Sequence, residues 1–147
     1  MNVASQKDVK LLHVEDSELD ARALQRAFKK LDIELDLARA KDGIEALELL
    51  GAADQEFAQE AQTIVLLDIN MPRMNGIEFL KELRNDPALH HTPVFVLTTS
   101  ERPSDIRDAY KHNVAGYIVK PLSSSSFVER ISQWRQFLSI IELPGTA

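Results

Sequence analysis

The sequence contains no cysteine and no long apolar run. The absence of cysteine excludes disulfide bonds, iron–sulfur clusters, thiolate zinc sites and a cysteine nucleophile. No apolar run approaches the ~20 residues that a membrane-spanning helix needs, and the N-terminus lacks the apolar stretch of a secretory signal. We therefore expect a soluble cytoplasmic protein that has no membrane segment.

Basic residues are outnumbered, with 17 Lys and Arg against 23 Asp and Glu, which gives a formal net charge of −6. Because there is no basic tract, a direct nucleic-acid ligand is not indicated. The 5 glycines form neither a Gly-x-Gly-x-x-Gly nor a Gly-Lys-Ser/Thr motif, so nucleotide binding is not indicated either. Hydrophobic residues make up 44% of the 147 residues, which suits one domain with its own core.

Five short apolar runs alternate with five amphipathic segments along the chain. The runs predict strands at 9–14, 34–40, 64–68, 94–97 and 116–119, and the segments predict helices at 18–31, 44–50, 77–84, 105–112 and 123–141. Residues 51–62 have no firm period, so they either extend the second helix or form a loop. The alternation predicts an α/β fold in which helices cover both faces of a parallel sheet.

Polar side chains follow four of the predicted strands, at the point where each strand ends. They are Glu15, Asp16, Asp68, Asn70, Thr98, Thr99 and Lys120. The carboxyl ends of parallel strands meet at one edge of the sheet, which is where ligands of such folds bind. Crowded carboxylates resist ionising unless a cation lies between them, and Mg²⁺ prefers oxygen ligands. The sequence therefore predicts a site for a divalent cation and a phosphoryl group.

The same residues suit phosphoryl transfer to a side chain. A carboxylate can attack a phosphoryl group to give an acyl phosphate, and the remaining requirement is alignment and neutralisation of the phosphoryl oxygens. Lys120 can neutralise one oxygen as a point charge, and Thr98 can donate a hydrogen bond to another. Taken singly, Lys120 and Thr98 are ordinary residues, but Asp68 ends a buried apolar strand, where an unused charge is costly.

Three stretches carry a family resemblance. Residues 11–16 read Leu-Leu-His-Val-Glu-Asp, residues 66–76 read Leu-Leu-Asp-Ile-Asn-Met-Pro-Arg-Met-Asn-Gly, and residues 116–121 read Gly-Tyr-Ile-Val-Lys-Pro. In this order and at this spacing they resemble the receiver domain of two-component response regulators, over about residues 9–138. The resemblance implies a flavodoxin-like (βα)5 doubly wound sheet with strand order 2-1-3-4-5 and an extended C-terminal helix.

The resemblance also implies a role for each acidic residue. Asp68 corresponds to the acceptor of a phosphoryl group from a histidine kinase, and Asp16 to the direct Mg²⁺ ligand. Glu15 would assist the metal through water, and it departs from the family in standing where an aspartate is frequent. Asn70 would supply its backbone carbonyl to the metal, so its side-chain identity matters less.

The remaining implied roles concern the readout of phosphorylation. Thr98 resembles the switch hydroxyl, Tyr117 the aromatic residue coupled to it, and Lys120 the lysine that contacts the phosphoryl group. In this family the bond corresponding to Lys120–Pro121 is usually cis, so we expect a cis peptide bond there.

The predicted C-terminal helix carries an apolar stripe with steps of 4, 3, 4 and 3 residues. This stripe either packs on the sheet or faces a partner, and further apolar residues lie beside it. Because the segment has more apolar surface than a terminal helix usually exposes, we expect a homodimer. The candidate dimer residues are Phe127, Ile131, Trp134, Phe137, Leu138 and Ile141.

Together these features predict a stand-alone receiver over residues 1–147, a phosphoacceptor signalling protein rather than an enzyme. Only 27 residues follow Lys120, so no output domain is expected and phosphorylation would switch protein contacts. The opening Glu15-Asp16-Ser17, with Asp20-Ala21-Arg22 after it, and the apolar C-terminus resemble small receivers that serve phytochrome-type kinases, including bacteriophytochromes. Receivers of the chemotaxis and phosphorelay types are alternatives in the same class.

Two rivals belong to other classes. A haloacid-dehalogenase-type phosphatase also uses a strand-end aspartate with Mg²⁺, but it requires a second aspartate where this chain has Asn70. A flavodoxin-like cofactor carrier would need a phosphate-binding loop after the first strand, where Glu15 and Asp16 would repel a flavin phosphate.

Overall fold

The computed structural model describes residues 9–51 and 62–143. They form a five-stranded parallel sheet with the order β2-β1-β3-β4-β5, which confirms the predicted order and fold class. The elements are β1 Val9–Val14, α1 Glu18–Lys30, β2 Asp36–Ala40, α2 Gly43–Gly51, β3 Gln62–Leu67, α3 Gly76–Asn85, β4 Val94–Thr98, α4 Pro103–Lys111, β5 Gly116–Val119 and α5 Ser124–Leu138. In this part of the chain, no helix is both long enough and apolar enough to cross a membrane.

Strands β1 and β5 have the predicted bounds, and the other element boundaries differ from the predicted ones by at most three residues. Strand β2 begins at Asp36 because the chain is still turning at Ile33, whose N–H donates to the carbonyl of Phe28. Helix α4 begins at Pro103, a residue whose fixed φ suits the first helical position. Helix α5 ends at Leu138, before the predicted end at 141. The sequence does not decide between helix and loop for residues 51–62, and of this stretch only the two end residues lie in the described ranges.

The core consists of two apolar layers, one on each face of the sheet. Side chains of the central strands alternate between the layers, as strand geometry requires, so β1 and β3 are buried on both faces. One layer packs under α2, α3 and α4, with Phe79 fully buried in it. The other packs under α1 and α5 and includes Leu24 and Trp134. This packing fixes the strand ends, and therefore the side chains that follow them.

The α5 stripe belongs to the second layer rather than to a free surface. Phe127, Ile131 and Trp134 are buried against the sheet, and the Trp134 ring packs edge-on against Phe95 with centroids 5.7 Å apart. The prediction that these three residues form a dimer surface is therefore wrong, because their apolar area is already covered within the chain. Leu138 and Ile141 are half-buried against the same layer, whereas Phe137 remains 44% exposed.

Candidate functional site

Three carboxylates meet at the carboxyl edge of the sheet. Glu15 and Asp16 follow β1, and Asp68 follows β3; the last residues of these neighbouring strands, Val14 and Leu67, are register partners. The N–H of Asp68 donates to the carbonyl of Val14 at 3.0 Å, which fixes the two strand ends to each other. As a result, one carboxylate oxygen of each acidic residue lies within 4.8 Å of the other two.

The backbone of the acidic pair is held by a residue that the sequence analysis did not single out. Arg39 in β2 donates from Nε to the carbonyl of Glu15 at 3.0 Å and from Nη2 to the carbonyl of Asp16 at 3.2 Å. Its remaining nitrogen pairs with Glu18 at 2.7 Å. Arg39 thereby anchors the turn between β1 and α1 to the neighbouring strand. Its position near the end of a strand beside the acidic pair is the only sequence signal for this role.

The electrostatics of the cluster favour a cation. Burial raises the pKa of Glu15 to about 7, and the nearby charge of Asp68 adds to the rise, although Lys120 opposes it. Burial also raises the pKa of Asp68, helped by the charge of Asp16 and opposed by a hydrogen bond from Thr98. A hard divalent cation bound between such carboxylates stabilises their ionised forms. The donor set therefore fits Mg²⁺.

Asp68 lies among the residues that the sequence predicted around it. Its Oδ1 accepts a hydrogen bond from the N–H of Ile69 at 2.9 Å, and the Thr98 side chain lowers its pKa against the effect of burial. Thr98 is fully buried at the end of β4, and its carbonyl accepts from the N–H of Lys120 at 2.7 Å. Four strand ends, those of β1, β3, β4 and β5, thus supply the acidic cluster, the hydroxyl and the lysine to one pocket.

Asn70 lies two residues beyond Asp68 in the loop between β3 and α3, and its side chain is exposed. The loop is anchored at Arg73, which has a left-handed backbone with φ 65° and pairs with Asp42 at 2.9 Å. At its far end, Asn75 caps α3 and exchanges hydrogen bonds with Glu78 in a capping box. The cap and the ion pair hold the loop that carries Asn70.

The Lys120 ammonium contacts two carboxylates. Its Nζ donates to Oε1 of Glu15 at 2.6 Å and to Oδ2 of Asp20 at 2.9 Å. Burial alone would lower the pKa of Lys120, but these two carboxylates raise it above its ordinary value. Asp20 was not among the predicted site residues. A signal existed, since Asp20, Ala23 and Ala27 are spaced along α1 so that they share the face bordering Lys120.

The expected cis bond before Pro121 is not present. Every peptide bond in the described ranges is trans, including the one between Lys120 and Pro121, so that prediction is wrong for this structure. The trans form of a bond before proline is the more stable one by roughly 0.5–1 kcal/mol, and Lys120 reaches both of its carboxylate partners with the bond in that form.

Thr98 and Tyr117 are connected through Ser100, which the sequence analysis missed. The N–H of Ser100 donates to the Thr98 hydroxyl at 3.4 Å, and the Tyr117 hydroxyl donates to the carbonyl of Ser100 at 3.0 Å. The Ser100 hydroxyl in turn donates to the buried carboxylate of Asp105 in α4, which also pairs with Arg102 at 3.1 Å. A chain of hydrogen bonds therefore runs from the pocket to α4 and β5.

Comparison with known proteins gives one consistent family. The family model described as the response regulator receiver domain matches residues 11–132. The chain is 31% identical over 136 residues to the response regulator Rcp1 of Synechocystis sp., with 92% of each chain covered. It is 32% identical over 133 residues to the chemotaxis protein CheY-3 of Vibrio cholerae, with 90% of this chain and 96% of that protein covered.

Two solved structures are similar over almost their whole lengths. The phosphorylated cyanobacterial phytochrome response regulator RcpA superposes with a TM-score of 0.81 at 33% identity, covering 92% of this chain and 98% of that one. The Mn²⁺-bound form of Rcp1 superposes with a TM-score of 0.80 at 31% identity, covering 94% of this chain and 99% of that one.

Proposed function

The chain belongs to the response regulator receiver family, and from this premise we propose that it accepts a phosphoryl group on Asp68 in a Mg²⁺-dependent reaction. One observation carries the proposal: Asp68 shares a pocket with two further carboxylates, and one oxygen of each lies within 4.8 Å of the other two. The similar protein Rcp1 has a Mn²⁺-bound structure and RcpA a phosphorylated one, which supports a divalent metal and a phosphoryl group as ligands of this chain.

The reaction follows from the chemistry of the residues. A carboxylate oxygen of Asp68 attacks the phosphorus of a phosphohistidine on a sensor kinase, the nitrogen–phosphorus bond breaks, and the imidazole leaves with the electron pair and takes up a proton. Thr98 donates a hydrogen bond to one phosphoryl oxygen, and Lys120 neutralises another. The product on this chain is an acyl phosphate.

The cation would be held by Glu15, Asp16, Asp68 and the backbone carbonyl of Asn70. When bound, it supplies positive charge that offsets the crowded carboxylates and the phosphoryl oxygens. The residues of the chain orient Asp68 and exclude water around its buried carboxylate. Because Asn70 offers no acid or base two residues after the nucleophile, we infer a phosphoacceptor rather than a phosphatase acting on other substrates.

The direct test is incubation of the purified protein with acetyl phosphate, followed by measurement of its intact mass. We expect an adduct of one phosphoryl group in the presence of Mg²⁺ and none when EDTA removes the metal, because the crowded carboxylates need a cation for attack. A sample without acetyl phosphate is the control. Absence of an adduct with Mg²⁺, or an equal adduct in EDTA, would refute the mechanism.

We assign the phosphoryl donor to the class of phytochrome-type sensor kinases, with bacteriophytochromes among them. The support is the agreement with RcpA and Rcp1 over 98% and 99% of their chains. The chemotaxis protein CheY-3 is equally similar in sequence at 32% identity, so chemotaxis-type donors are the rival. Transfer from a purified phosphorylated phytochrome kinase that is faster than transfer from a chemotaxis kinase would support the assignment, and the reverse order would overturn it.

We also propose a homodimer, formed by the face that α4, β5 and α5 share. Strand β5 is an edge of the sheet, with backbone groups available for pairing. The exposed side chains of Tyr110 on α4 and Phe137 on α5 line a groove along β5, and Ile140 is exposed three residues after Phe137. Exposed apolar surface of this kind marks protein interaction sites, and a second copy with the same apolar face is a matching occupant.

Replacing both Phe137 and Ile140 by Glu is expected to convert the dimer to a monomer, because each charge would be buried against apolar surface. Molar mass by light scattering, measured over a wide range of concentration, checks this. Leu19→Glu is the matched control, since it places the same charge at an exposed apolar position on α1 and should leave the dimer intact. A monomer mass for the unmodified protein at every concentration would refute the dimer.

A further inference from the structure

Lys120 is shared by two carboxylates that have different neighbours. Its Nζ lies 2.6 Å from Oε1 of Glu15 and 2.9 Å from Oδ2 of Asp20. Glu15 belongs to the cluster of three carboxylates that fits a metal ion, whereas Asp20 does not. The ammonium group therefore bridges the metal site and a carboxylate outside it.

A divalent cation in the cluster would compete with Lys120 for Glu15. Both oxygens of Glu15 already accept hydrogen bonds, Oε2 from the N–H of Ser17 at 3.2 Å and Oε1 from Lys120 at 2.6 Å. The cation would also repel the ammonium at close range. Because the Lys120 side chain is only 9% exposed, water cannot fully replace a lost carboxylate, and the ammonium needs another anion.

Asp20 has the properties of that second anion. Its side chain is 45% exposed, so its carboxylate stays in contact with water and pays little desolvation cost. It lies in the first turn of α1, where the helix dipole favours a negative charge. Its N–H donates to Oγ of Ser17 at 3.2 Å, so the helix cap fixes its backbone beside the pocket.

We propose that Asp20 is a positioning residue, which stays paired with Lys120 when a divalent cation binds to Glu15. By holding the ammonium, Asp20 makes binding of the cation easier and keeps Lys120 at the rim of the pocket, where the phosphoryl group will arrive. The proposal rests on the proposed function, because it takes Glu15, Asp16 and Asp68 to be the metal site.

The test is calorimetric titration of the unphosphorylated protein with Mg²⁺, which does not depend on phosphorylation activity. Asp20→Asn keeps the size and a hydrogen-bond acceptor but removes the charge, so Lys120 should stay on Glu15 and the Kd for Mg²⁺ should rise about fivefold. Asp20→Glu should restore most of the affinity. Asp32→Asn makes the same chemical change at an exposed residue beyond the far end of α1, and should change the Kd little.

A double-mutant cycle separates action through Lys120 from the general field of a negative charge. In a Lys120→Met background, Asp20→Asn should leave the Mg²⁺ affinity unchanged if Asp20 acts through the lysine. An equal loss of affinity in both backgrounds, or no loss in the protein that retains Lys120, would overturn the proposal while leaving the proposed function intact. Failure of the unmodified protein to bind Mg²⁺ would overturn both.

Discussion

Replacing Asp68 by Asn is expected to abolish phosphoryl incorporation and, in the absence of metal, to raise the melting temperature. The first effect follows because an amide oxygen is not a nucleophile for phosphorus under these conditions. The second follows because burial and the neighbouring charge of Asp16 raise the pKa of Asp68, so the ionised carboxylate opposes folding. An amide of the same shape removes that charge and its repulsion of Glu15.

The stability gain of Asp68→Asn should grow with pH. A carboxyl group whose folded pKa is raised stabilises the fold below its unfolded pKa and loses that contribution as pH rises through the folded value. In the metal-free protein this loss applies to Asp68 and to Glu15, whose pKa is about 7. Burial lowers the pKa of His13 to about 3, so His13 makes stability increase with pH in the more acidic range. This contribution is the same in the unmodified protein and in Asp68→Asn.

Thermal melts between pH 4 and pH 8, in EDTA and in Mg²⁺, check this prediction. The two proteins should melt alike at the acid end, and the variant should melt higher at the neutral end in EDTA. Mg²⁺ should stabilise the unmodified protein more than the variant, since binding to the folded state adds stability by linkage. The control Asp32→Asn makes the same chemical change at an exposed turn with φ 58°, which Asn tolerates. A variant less stable than the parent at neutral pH would contradict the electrostatic argument.

The sequence located the pocket because its position follows from strand periodicity. An apolar run ending in a carboxylate marks a strand end, and parallel pairing brings the ends of β1 and β3 side by side. Asp68, Thr98 and Lys120 were therefore predictable as a group. The partners of Lys120 were not, because the choice between Asp68, Glu15 and Asp20 depends on the path of a long flexible side chain.

Other features depended on contacts that a sequence pattern does not contain. The period of α5 identified an apolar stripe, but the same stripe suits a core or a partner, and Trp134 packs on Phe95 in the core. Ser100 and Asp105 carried no signal, because a serine and an aspartate around a helix start are common. Their link to Tyr117 arises only when β4 and β5 pair.

Replacing Gly76 by Ala is expected to be among the most destabilising single changes in the chain. A Cβ at this position would lie 2.5 Å from the carbonyl oxygen of Asp68 and 2.9 Å from Cα of Ile69. Both are backbone atoms, so neither can rotate away as a side chain can. The N–H of Gly76 also donates to the carbonyl of Ile69 at 2.9 Å, and this hydrogen bond would lengthen if the added Cβ pushed the two backbones apart. We expect a loss of about 3 kcal/mol in the free energy of unfolding.

The same change should slow phosphorylation, because the displaced backbone carries Asp68 itself. Urea unfolding measures the stability loss, and Mg²⁺-dependent adduct formation from acetyl phosphate measures the rate. At Gly43, an added Cβ would lie 2.8 Å from Met74 Cγ and 3.0 Å from Phe79 Cβ. The flexible Met74 side chain can move, so only the Phe79 contact remains and the loss should be smaller than at Gly76. At Gly51, the end of α2, no atom of the residues that the structure describes lies within 4 Å of such a Cβ, so Ala should stabilise by about 0.5 kcal/mol.

The three glycines therefore form a series in which the atoms that an added Cβ would meet become progressively harder to move. Stability should fall from Gly51→Ala through Gly43→Ala to Gly76→Ala, and only the last should slow phosphorylation strongly, since its clash is with Asp68, the proposed phosphoryl acceptor. If Gly76→Ala were no more damaging than Gly43→Ala, the close approach of α3 to Asp68 would not be what requires glycine. If it lost stability but kept the full rate, the position of the Asp68 backbone would not limit the reaction.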